Sequence, residues 1–347
     1  MTEPPAFMLH EHFTIDAALD RAFEMAAQPV PPNPNPHVGC VILDADGRLV
    51  GVGAHRGAGS GHAEVVALAE AGSLARAGTA VVTLEPCNHI GRTGSCAQAL
   101  IDAGIANVFF AVADPADHGG QRRGAEQLAD AGVHVVGDLD PQRGRESLGT
   151  WLFAVEHGRP FVTWKAASSA DGFMAPSDRR RMQLTGEDAI RAVHHLRSRV
   201  GAVVTGTGTV VADDPLMTAR DDSGQPLAYQ PLRVVIGLRE VPEDAAIRGD
   251  DGLFIHLRTR DAAAALADLA QRGIHHVLLE CGPDLASAFL AAGCVDEVVW
   301  FAADATLGSG VAVAGFPAPK LGLAPGWRVA GVDVLGSDTR HTLLPER

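Results

Sequence analysis

The sequence contains no run of the roughly 18 apolar residues that a membrane-spanning helix needs, so we expect no membrane partner. Its first residues, MTEPPAFMLHEHF, lack a basic start followed by a long apolar stretch, which argues against a secretory signal. Cysteine is scarce, and the five cysteines form an odd, scattered set unlike a disulfide framework. These absences together indicate a chain of the reducing cytoplasm.

The chain also has fewer basic than acidic residues. The chain carries 28 Lys and Arg against 42 Asp and Glu, which gives a net charge of −14. Nucleic-acid binding needs clustered Lys and Arg to neutralise phosphates, so we expect a small-molecule substrate and no nucleic-acid partner. The G-x-G-x-x-G fingerprint is absent as well, which disfavours a standard dinucleotide-binding fold.

What the chain does contain is enough length and apolar content for two domains. It has 347 residues, of which 46% are hydrophobic and 20% charged, as in a globular enzyme. A polar break is expected between residues 138 and 158, which predicts domains at 1–147 and 158–347. Both halves alternate strands and helices, the pattern of an α/β fold. Helices are predicted at 14–28, 62–71, 98–103, 124–131, 187–199, 262–271 and 285–291, and strands at 38–43, 49–52, 80–84, 108–112, 133–136, 160–164, 202–205, 233–237, 253–257, 276–279 and 297–301.

The most informative motif is His62-Ala63-Glu64 followed by Pro86-Cys87 and Cys96. One imidazole and two thiolates would leave the fourth position of a tetrahedral zinc open for water, as in a catalytic site. Glu64 could then carry protons between that water and a leaving group. The pattern is typical of zinc deaminases. A structural zinc and a pair of reactive cysteines are the alternatives.

The segment around these cysteines also resembles a known family. Glu85-Pro86-Cys87-Asn88-His89-Ile90-Gly91-Arg92-Thr93-Gly94-Ser95-Cys96 is similar to the E-P-C-x-H-x-G-[RK]-T-P-P-C segment of the bifunctional riboflavin-biosynthesis deaminase/reductases. Asn35-Pro36-His37-Val38-Gly39 resembles that family's N-P-x-V-G. Gly94-Ser95 replaces its two prolines, and Asp114-Pro115-Ala116-Asp117 replaces its D-P-N-P.

This resemblance implies a cytidine-deaminase-like α/β/α domain that binds Zn²⁺ and removes the 2-amino group of 2,5-diamino-6-ribosylamino-4(3H)-pyrimidinone 5′-phosphate. Asn35 and His55 would contact the pyrimidine, and His89 and Arg92 the ribosyl phosphate.

The second half resembles the reductase half of the same family. The carrying segments are Pro160-Phe161-Val162-Thr163-Trp164-Lys165-Ala166-Ala167-Ser168-Ser169-Ala170-Asp171-Gly172, Gly208-Thr209-Val210 with Ala212-Asp213-Asp214-Pro215, and Glu280-Cys281-Gly282-Pro283. The resemblance implies a dihydrofolate-reductase-like α/β domain in which NADPH reduces the ribosyl group to ribityl. The implied cofactor-binding residues are Lys165, Ala167, Thr209, Asp213 and Gly282, and the implied substrate-binding residues are Arg197, Arg220 and Glu280.

The reductase half departs from the family at three places: Gln183-Leu184-Thr185 stands for W-I-T, Arg181 for a serine, and Ala302-Ala303-Asp304-Ala305 for A-P-K-L. One alternative is therefore an active deaminase with a degenerate or altered reductase domain. Two others are a nucleoside or tRNA deaminase with an unrelated appendage and a zinc-stabilised pyrimidine-binding protein. The resemblance also implies a homo-oligomer, either a dimer or a tetramer.

Overall fold

The structure is a computed structural model that describes residues 11–32, 35–57, 60–88, 94–115, 123–178, 180 and 182–346. The chain divides into two compact units, Met1–Glu156 and His157–Arg347. Among the residues that the structure describes, no helix has both the length and the apolar composition needed to cross a membrane.

The first unit is built on a five-stranded sheet whose strand order is β2-β1-β3-β4-β5. β1 pairs antiparallel with β2 and β3, and the remaining pairs are parallel. Its elements are α1 (Ile15–Ala26), β1 (Gly39–Leu43), β2 (Leu49–Ala54), α2 (Ala63–Ala71), β3 (Thr79–Val82), α3 (Cys96–Asp102), β4 (Asn107–Phe110), α4 (Gly124–Asp130), β5 (His134–Val136) and α5 (Pro141–His157).

Glycines let the first two helices approach the sheet at backbone distance. A Cβ added at Gly39 would lie 1.9 Å from the Ala22 carbonyl oxygen of α1, and one at Gly53 would lie 2.0 Å from the Ala63 carbonyl oxygen of α2. Any side chain at Gly53 would therefore displace the first turn of α2. That turn carries His62 and Glu64.

The polar stretch that we interpreted as an interdomain break is largely helical. α5 runs from Pro141 to His157 and is interrupted at Gly149, whose φ of 50° lies in the left-handed region. Its apolar positions Leu148 and Leu152 are buried against Leu84 and Val112. The sequence indicated a linker because residues 141–147 are mostly polar, and only the packing of Leu148 and Leu152 on the sheet shows why the segment folds.

The second unit contains an eight-stranded sheet with the order β12-β13-β11-β6-β10-β7-β8-β9. Strands β11, β6, β10, β7, β8 and β9 run parallel. Its elements are β6 (Phe161–Ser168), α6 (Glu187–Arg197), β7 (Ala202–Gly206), α7 (Thr207–Asp213), β8 (Leu232–Ile236), β9 (Phe254–Leu257), α8 (Ala262–Gln271), β10 (His276–Glu280), α9 (Pro283–Ala291), β11 (Glu297–Ala302), β12 (Trp327–Leu335) and β13 (Asp338–Pro345).

Two features of this unit were not anticipated. The antiparallel hairpin β12–β13 extends the sheet beyond β11, and β7 passes at Gly206 directly into the short helix α7. The main core of this unit is chiefly aliphatic and includes a cluster of aromatic rings. The rings of Trp164 and Trp300 meet edge to face at 5.5 Å, and Phe316 stacks on Trp300 at 6.0 Å.

Candidate active sites

Three predicted metal ligands meet in the first unit. The ligand atoms of His62, Cys87 and Cys96 all lie within 4.8 Å of one another. His62 Nδ1 is 3.1 Å from Cys96 Sγ and 3.5 Å from Cys87 Sγ. One imidazole and two thiolates are a donor set that suits zinc, and three protein ligands leave one coordination position for water. The residues present therefore fit a catalytic zinc ion.

The ligands are supplied by the ends of secondary-structure elements. His62 occupies the N-cap position of α2, where its ring faces the two sulfurs instead of capping the helix, and Cys96 is the first residue of α3. The hydrogen bonds from Cys96 and from His62 lower the pKa of the Cys87 thiol. The site therefore favours thiolate at Cys87, the form that binds metal.

Ser95 links the backbone of the two cysteine ligands. Its hydroxyl donates to the Cys87 carbonyl oxygen at 3.1 Å and accepts from the Gln98 amide at 3.2 Å, which caps α3. Gly94 before it has a φ of 78°, which proline cannot adopt. Because Gly94-Ser95 replaces the family's two prolines, this chain has a hydrogen bond from the Ser95 hydroxyl, next to Cys96, to the carbonyl oxygen of Cys87.

We expect Ser95→Ala to release zinc about 10-fold faster, because groups that orient metal ligands typically contribute about 10–100-fold to metal affinity. The rate is measured as zinc transfer to a chromogenic chelator. Thr14→Ala is the matched control, since Thr14 caps α1 through the Ala17 amide in the same way. If both variants released zinc at the parent rate, Ser95 would have only a capping role.

Glu64 lies beside the metal ligands and is buried, with 4% of its surface exposed. Burial raises the pKa of its carboxyl group to about 7, and the neighbouring Cys87 adds to the effect. A carboxyl group that titrates near neutral pH can both accept and return a proton. The Glu64 environment therefore suits the proton carrier that the sequence predicted.

Asn35 and His55 are hydrogen-bonded to each other through Asn35 Nδ2 and His55 Nε2, which are 3.0 Å apart. His55 Nδ1 lies 3.2 Å from the Gly61 carbonyl oxygen, which can only accept, so Nδ1 carries the proton and Nε2 accepts from Asn35. Burial lowers the pKa of His55 and favours this neutral form. The His55 ring centroid is 5.5 Å from that of His62, so the pair lies at the edge of the metal cluster.

Glu85 is a site residue that our sequence reasoning missed. Its buried carboxylate accepts hydrogen bonds from the amides of Asp114 and Ala125 and from Arg123 Nη1, each at 3.1 Å. These bonds hold the start of α4 against the strand end that leads into Pro86-Cys87. The sequence feature that could have identified Glu85 is a glutamate placed between a buried strand and a proline. His89 and Arg92, the predicted phosphate contacts, lie outside the described residues.

The second unit contains a cavity of about 1130 Å³ at the C-terminal ends of its parallel strands. Its volume exceeds the usual range for drug-sized ligands, so it can admit a dinucleotide. A Cβ at Gly208 would meet nothing within 4 Å, which lets a ligand approach the backbone. The lining includes all five predicted cofactor-binding residues: Lys165, Ala167, Thr209, Asp213 and Gly282. The residues present therefore fit NADPH.

Glu280 lines this cavity at the end of β10, opposite Lys165 in the register with β6. Arg197 binds both oxygens of its carboxylate, with Nε at 2.6 Å from Oε1 and Nη2 at 3.0 Å from Oε2. Burial alone would raise the pKa of Glu280, but the Arg197 charge overcomes it and the pKa lies below its ordinary value. Burial lowers the pKa of Lys165.

Arg197 and Arg220 do not line the cavity as the described residues define it. Arg197 Nη1 donates to the Thr218 carbonyl oxygen, while Arg220 donates to Thr218 Oγ1 and to the Gly224 carbonyl oxygen. Gln183-Leu184-Thr185, which replaces the family's W-I-T, does line it. Asp304 is exposed and is not among the lining residues, and Arg181 lies outside the described part of the chain.

Two family models match the chain. The "Cytidine and deoxycytidylate deaminase zinc-binding region" matches residues 14–112, and the "RibD C-terminal domain" matches residues 160–339. The first match contains His62, Glu64, Cys87 and Cys96. The second covers the cavity residues and does not favour the hypothesis of a degenerate reductase domain.

Relatives resemble the chain over both units. It is 41% identical to the riboflavin biosynthesis protein RibD of Mycobacterium tuberculosis over 95% of this chain and 97% of that protein. It is 44% identical to RibD of Corynebacterium ammoniagenes over 82% of this chain and 84% of that protein. A solved structure of Acinetobacter baumannii RibD matches with a TM-score of 0.83 and 33% identity, covering 96% of this chain and 99% of that one.

These matches confirm the predicted fold class, a cytidine-deaminase-like domain followed by the reductase domain of the same family. They also confirm a bifunctional enzyme of riboflavin biosynthesis whose cofactors are zinc and NADPH, a hydrolase in one unit and an oxidoreductase in the other. An unrelated appendage or a purely binding protein is excluded because the relatives match both halves. The chain belongs to the RibD family of riboflavin biosynthesis proteins.

Proposed function

We propose that the chain deaminates 2,5-diamino-6-ribosylamino-4(3H)-pyrimidinone 5′-phosphate and then reduces the ribosyl side chain of the product to ribityl. A solved relative from Thermotoga maritima, 28% identical with a TM-score of 0.76, is described as a diaminohydroxyphosphoribosylaminopyrimidine deaminase/5-amino-6-(5-phosphoribosylamino)uracil reductase. The observation that carries the proposal is the buried Glu64 beside the clustered atoms of His62, Cys87 and Cys96.

In the deaminase unit, His62, Cys87 and Cys96 would hold zinc, which supplies Lewis-acid activation of the attacking water. Glu64 takes the protons that the water gives up and passes one to the ring nitrogen and one to the departing amino group, so that ammonia leaves and a ring carbonyl remains. Asn35 and His55, fixed by their mutual hydrogen bond, present polar atoms to the pyrimidine. His89 and Arg92 keep their proposed role at the ribosyl phosphate, where a histidine and an arginine suit an anion.

In the reductase unit, NADPH would supply a hydride to C1′ of the ribosyl group, while the C1′–O4′ bond of the sugar ring breaks and O4′ takes a proton from solvent. Ala167, Thr209, Asp213 and Gly282 line the part of the cavity that would hold it. Positioning is the main protein contribution to hydride transfer, so no protein nucleophile is required.

The substrate end of this cavity is proposed to lie at Glu280 and Lys165. The Glu280 carboxylate can accept hydrogen bonds from sugar hydroxyls, and Lys165 can pair with the substrate or with NADPH. Arg197 holds Glu280 in position through its two bonds. Arg220 is proposed to turn from the Gly224 carbonyl oxygen to the substrate phosphate when substrate binds.

Metal removal separates the two activities. After dialysis against a chelator, we expect ammonia release from the diaminopyrimidine phosphate to be lost. Oxidation of NADPH by the deaminated intermediate should continue at the parent rate, and added zinc should restore ammonia release. Deamination that persists in zinc-free protein would contradict the proposed mechanism, and NADPH oxidation that depends on zinc would contradict the separate reductase site.

We also propose domains at 1–147 and 158–347, a homo-oligomer in solution and a cytoplasmic location. Support for the oligomer comes from β12, an edge strand that exposes Val329, Val332 and Val334. Light scattering of the purified chain measures the oligomeric state.

The cysteines support the proposed cytoplasmic location. Each of the five cysteines lies within the described residues and is a free thiol, which suits a reducing compartment.

A further inference from the structure

Two arginines lie at one end of the reductase cavity, where adjacent parallel strands finish. Ile236, the last residue of β8, pairs with Leu257, the last residue of β9. Arg239 lies three residues after Ile236, and Arg260 lies three residues after Leu257. Both arginines line the cavity. The register of the two strands therefore delivers two guanidinium groups to the same edge of the sheet.

Both arginine side chains are available to a ligand. They are exposed, and within the part of the chain that the structure describes neither has a hydrogen bond or an ion pair. The neighbouring carboxylates are already engaged. Glu240 is paired with Arg258, and Asp261 accepts the Ala264 amide to cap α8. In a chain with a net charge of −14, this end of the cavity is locally positive.

The strand order places these arginines far from the substrate end. The cavity runs across β6, β10, β7, β8 and β9, and Lys165 and Glu280 lie on β6 and β10. Neighbouring strands are about 4.8 Å apart, so four spacings separate β6 from β9 by roughly 19 Å. The nicotinamide must lie beside the reacting sugar, so the adenosine end of the cofactor must extend towards β8 and β9.

NADPH differs from NADH only in a phosphate on the 2′-oxygen of that adenosine ribose. Guanidinium groups bind phosphate through paired, charge-assisted hydrogen bonds, and an arginine near the adenosine ribose is the usual device for accepting this phosphate. We propose that Arg239 and Arg260 bind the 2′-phosphate and make this reductase prefer NADPH to NADH. The assignment rests on the proposed reductase site and adds its specificity determinants.

Replacing either arginine by alanine tests the assignment. Hydrogen bonds to a charged group contribute about 1.5–3 kcal/mol, which corresponds to roughly 10–150-fold in binding. We expect Arg239→Ala and Arg260→Ala each to raise KM for NADPH by about 10-fold or more. The KM for NADH and the kcat with saturating NADPH should stay at the parent values. Arg258→Ala is the matched control, because it removes the same charge nearby from a residue that does not line the cavity.

Binding of two fragments separates this inference from the proposed function. Titration calorimetry with adenosine 2′,5′-bisphosphate and with adenosine 5′-monophosphate should show that the arginine variants weaken only the bisphosphate. Equal losses for both fragments, or the same loss in Arg258→Ala, would overturn the assignment and leave the reductase site standing. A parent protein that binds neither NADP⁺ nor NAD⁺ would instead overturn the proposed use of the cavity.

Discussion

Glu64→Gln is expected to lower kcat for deamination by about 10²–10⁴-fold, the range that a positioned proton carrier contributes. Glutamine keeps the size of the side chain but cannot take a proton from water. Zinc content should stay at the parent level, because the ligand atoms of His62, Cys87 and Cys96 are unchanged. The measurements are ammonia release and metal analysis of the same preparation, with NADPH oxidation as an internal standard for the second unit.

Glu70→Gln provides the control for this substitution. Glu70 lies on the same helix, α2, but its carboxylate accepts the Val52 amide and is exposed. The Glu70→Gln protein should deaminate the substrate at close to the parent rate. A Glu64→Gln protein with full activity would remove Glu64 from the reaction. A protein that lost zinc together with activity would show that Glu64 supports the metal rather than the proton transfer.

The second large effect is expected on stability. Glu280→Ala should lower the free energy of unfolding by about 3–5 kcal/mol, because removing one partner of a buried ion pair leaves a buried charge uncompensated. Here the side chain of Arg197, 15% exposed, would lose its partner while the positive charge of half-buried Lys165 lies nearby. Urea unfolding of the full chain, followed by tryptophan fluorescence, measures the change.

Two further variants make this prediction specific. Asp333→Ala removes the partner of Arg340 in an exposed pair and should cost no more than about 1 kcal/mol. The double variant Arg197→Met, Glu280→Met should regain much of the stability that Glu280→Ala loses, since apolar residues of similar volume can replace a buried pair. A Glu280→Ala protein as stable as Asp333→Ala would show that the pair adds nothing.

Local chemistry explains why much of the deaminase site was predictable. The identity and spacing of His62, Glu64, Cys87 and Cys96 indicate the metal ligands and the proton carrier from the sequence alone. The segments around these residues also show clear strand and helix periodicity. Ser95 and Glu85 could not be read in the same way. Their roles depend on the Cys87 carbonyl and on the amides at the start of α4, partners that only the folded chain brings near.

The reductase unit was harder because its site is assembled from distant strand ends. Glu280 and Arg197 are 83 positions apart, and nothing in either segment indicates that they bind each other. α5 was missed because its first half, residues 141–147, is mostly polar and Gly149 interrupts the helical pattern. The hairpin β12–β13 was missed because β12 is mostly exposed, so its residues lack the alternation that a half-buried strand shows.

His62 illustrates a trade-off between stability and activity. A serine or an aspartate at the N-cap of α2 would accept a backbone amide and stabilise the helix by about 0.5–2 kcal/mol, whereas the imidazole faces the two sulfurs. Selection for thermal stability alone would therefore favour His62→Asp or His62→Ser at this position. Libraries screened only for folding are expected to accumulate such substitutions and to lose the deaminase, while the reductase of the same chain survives.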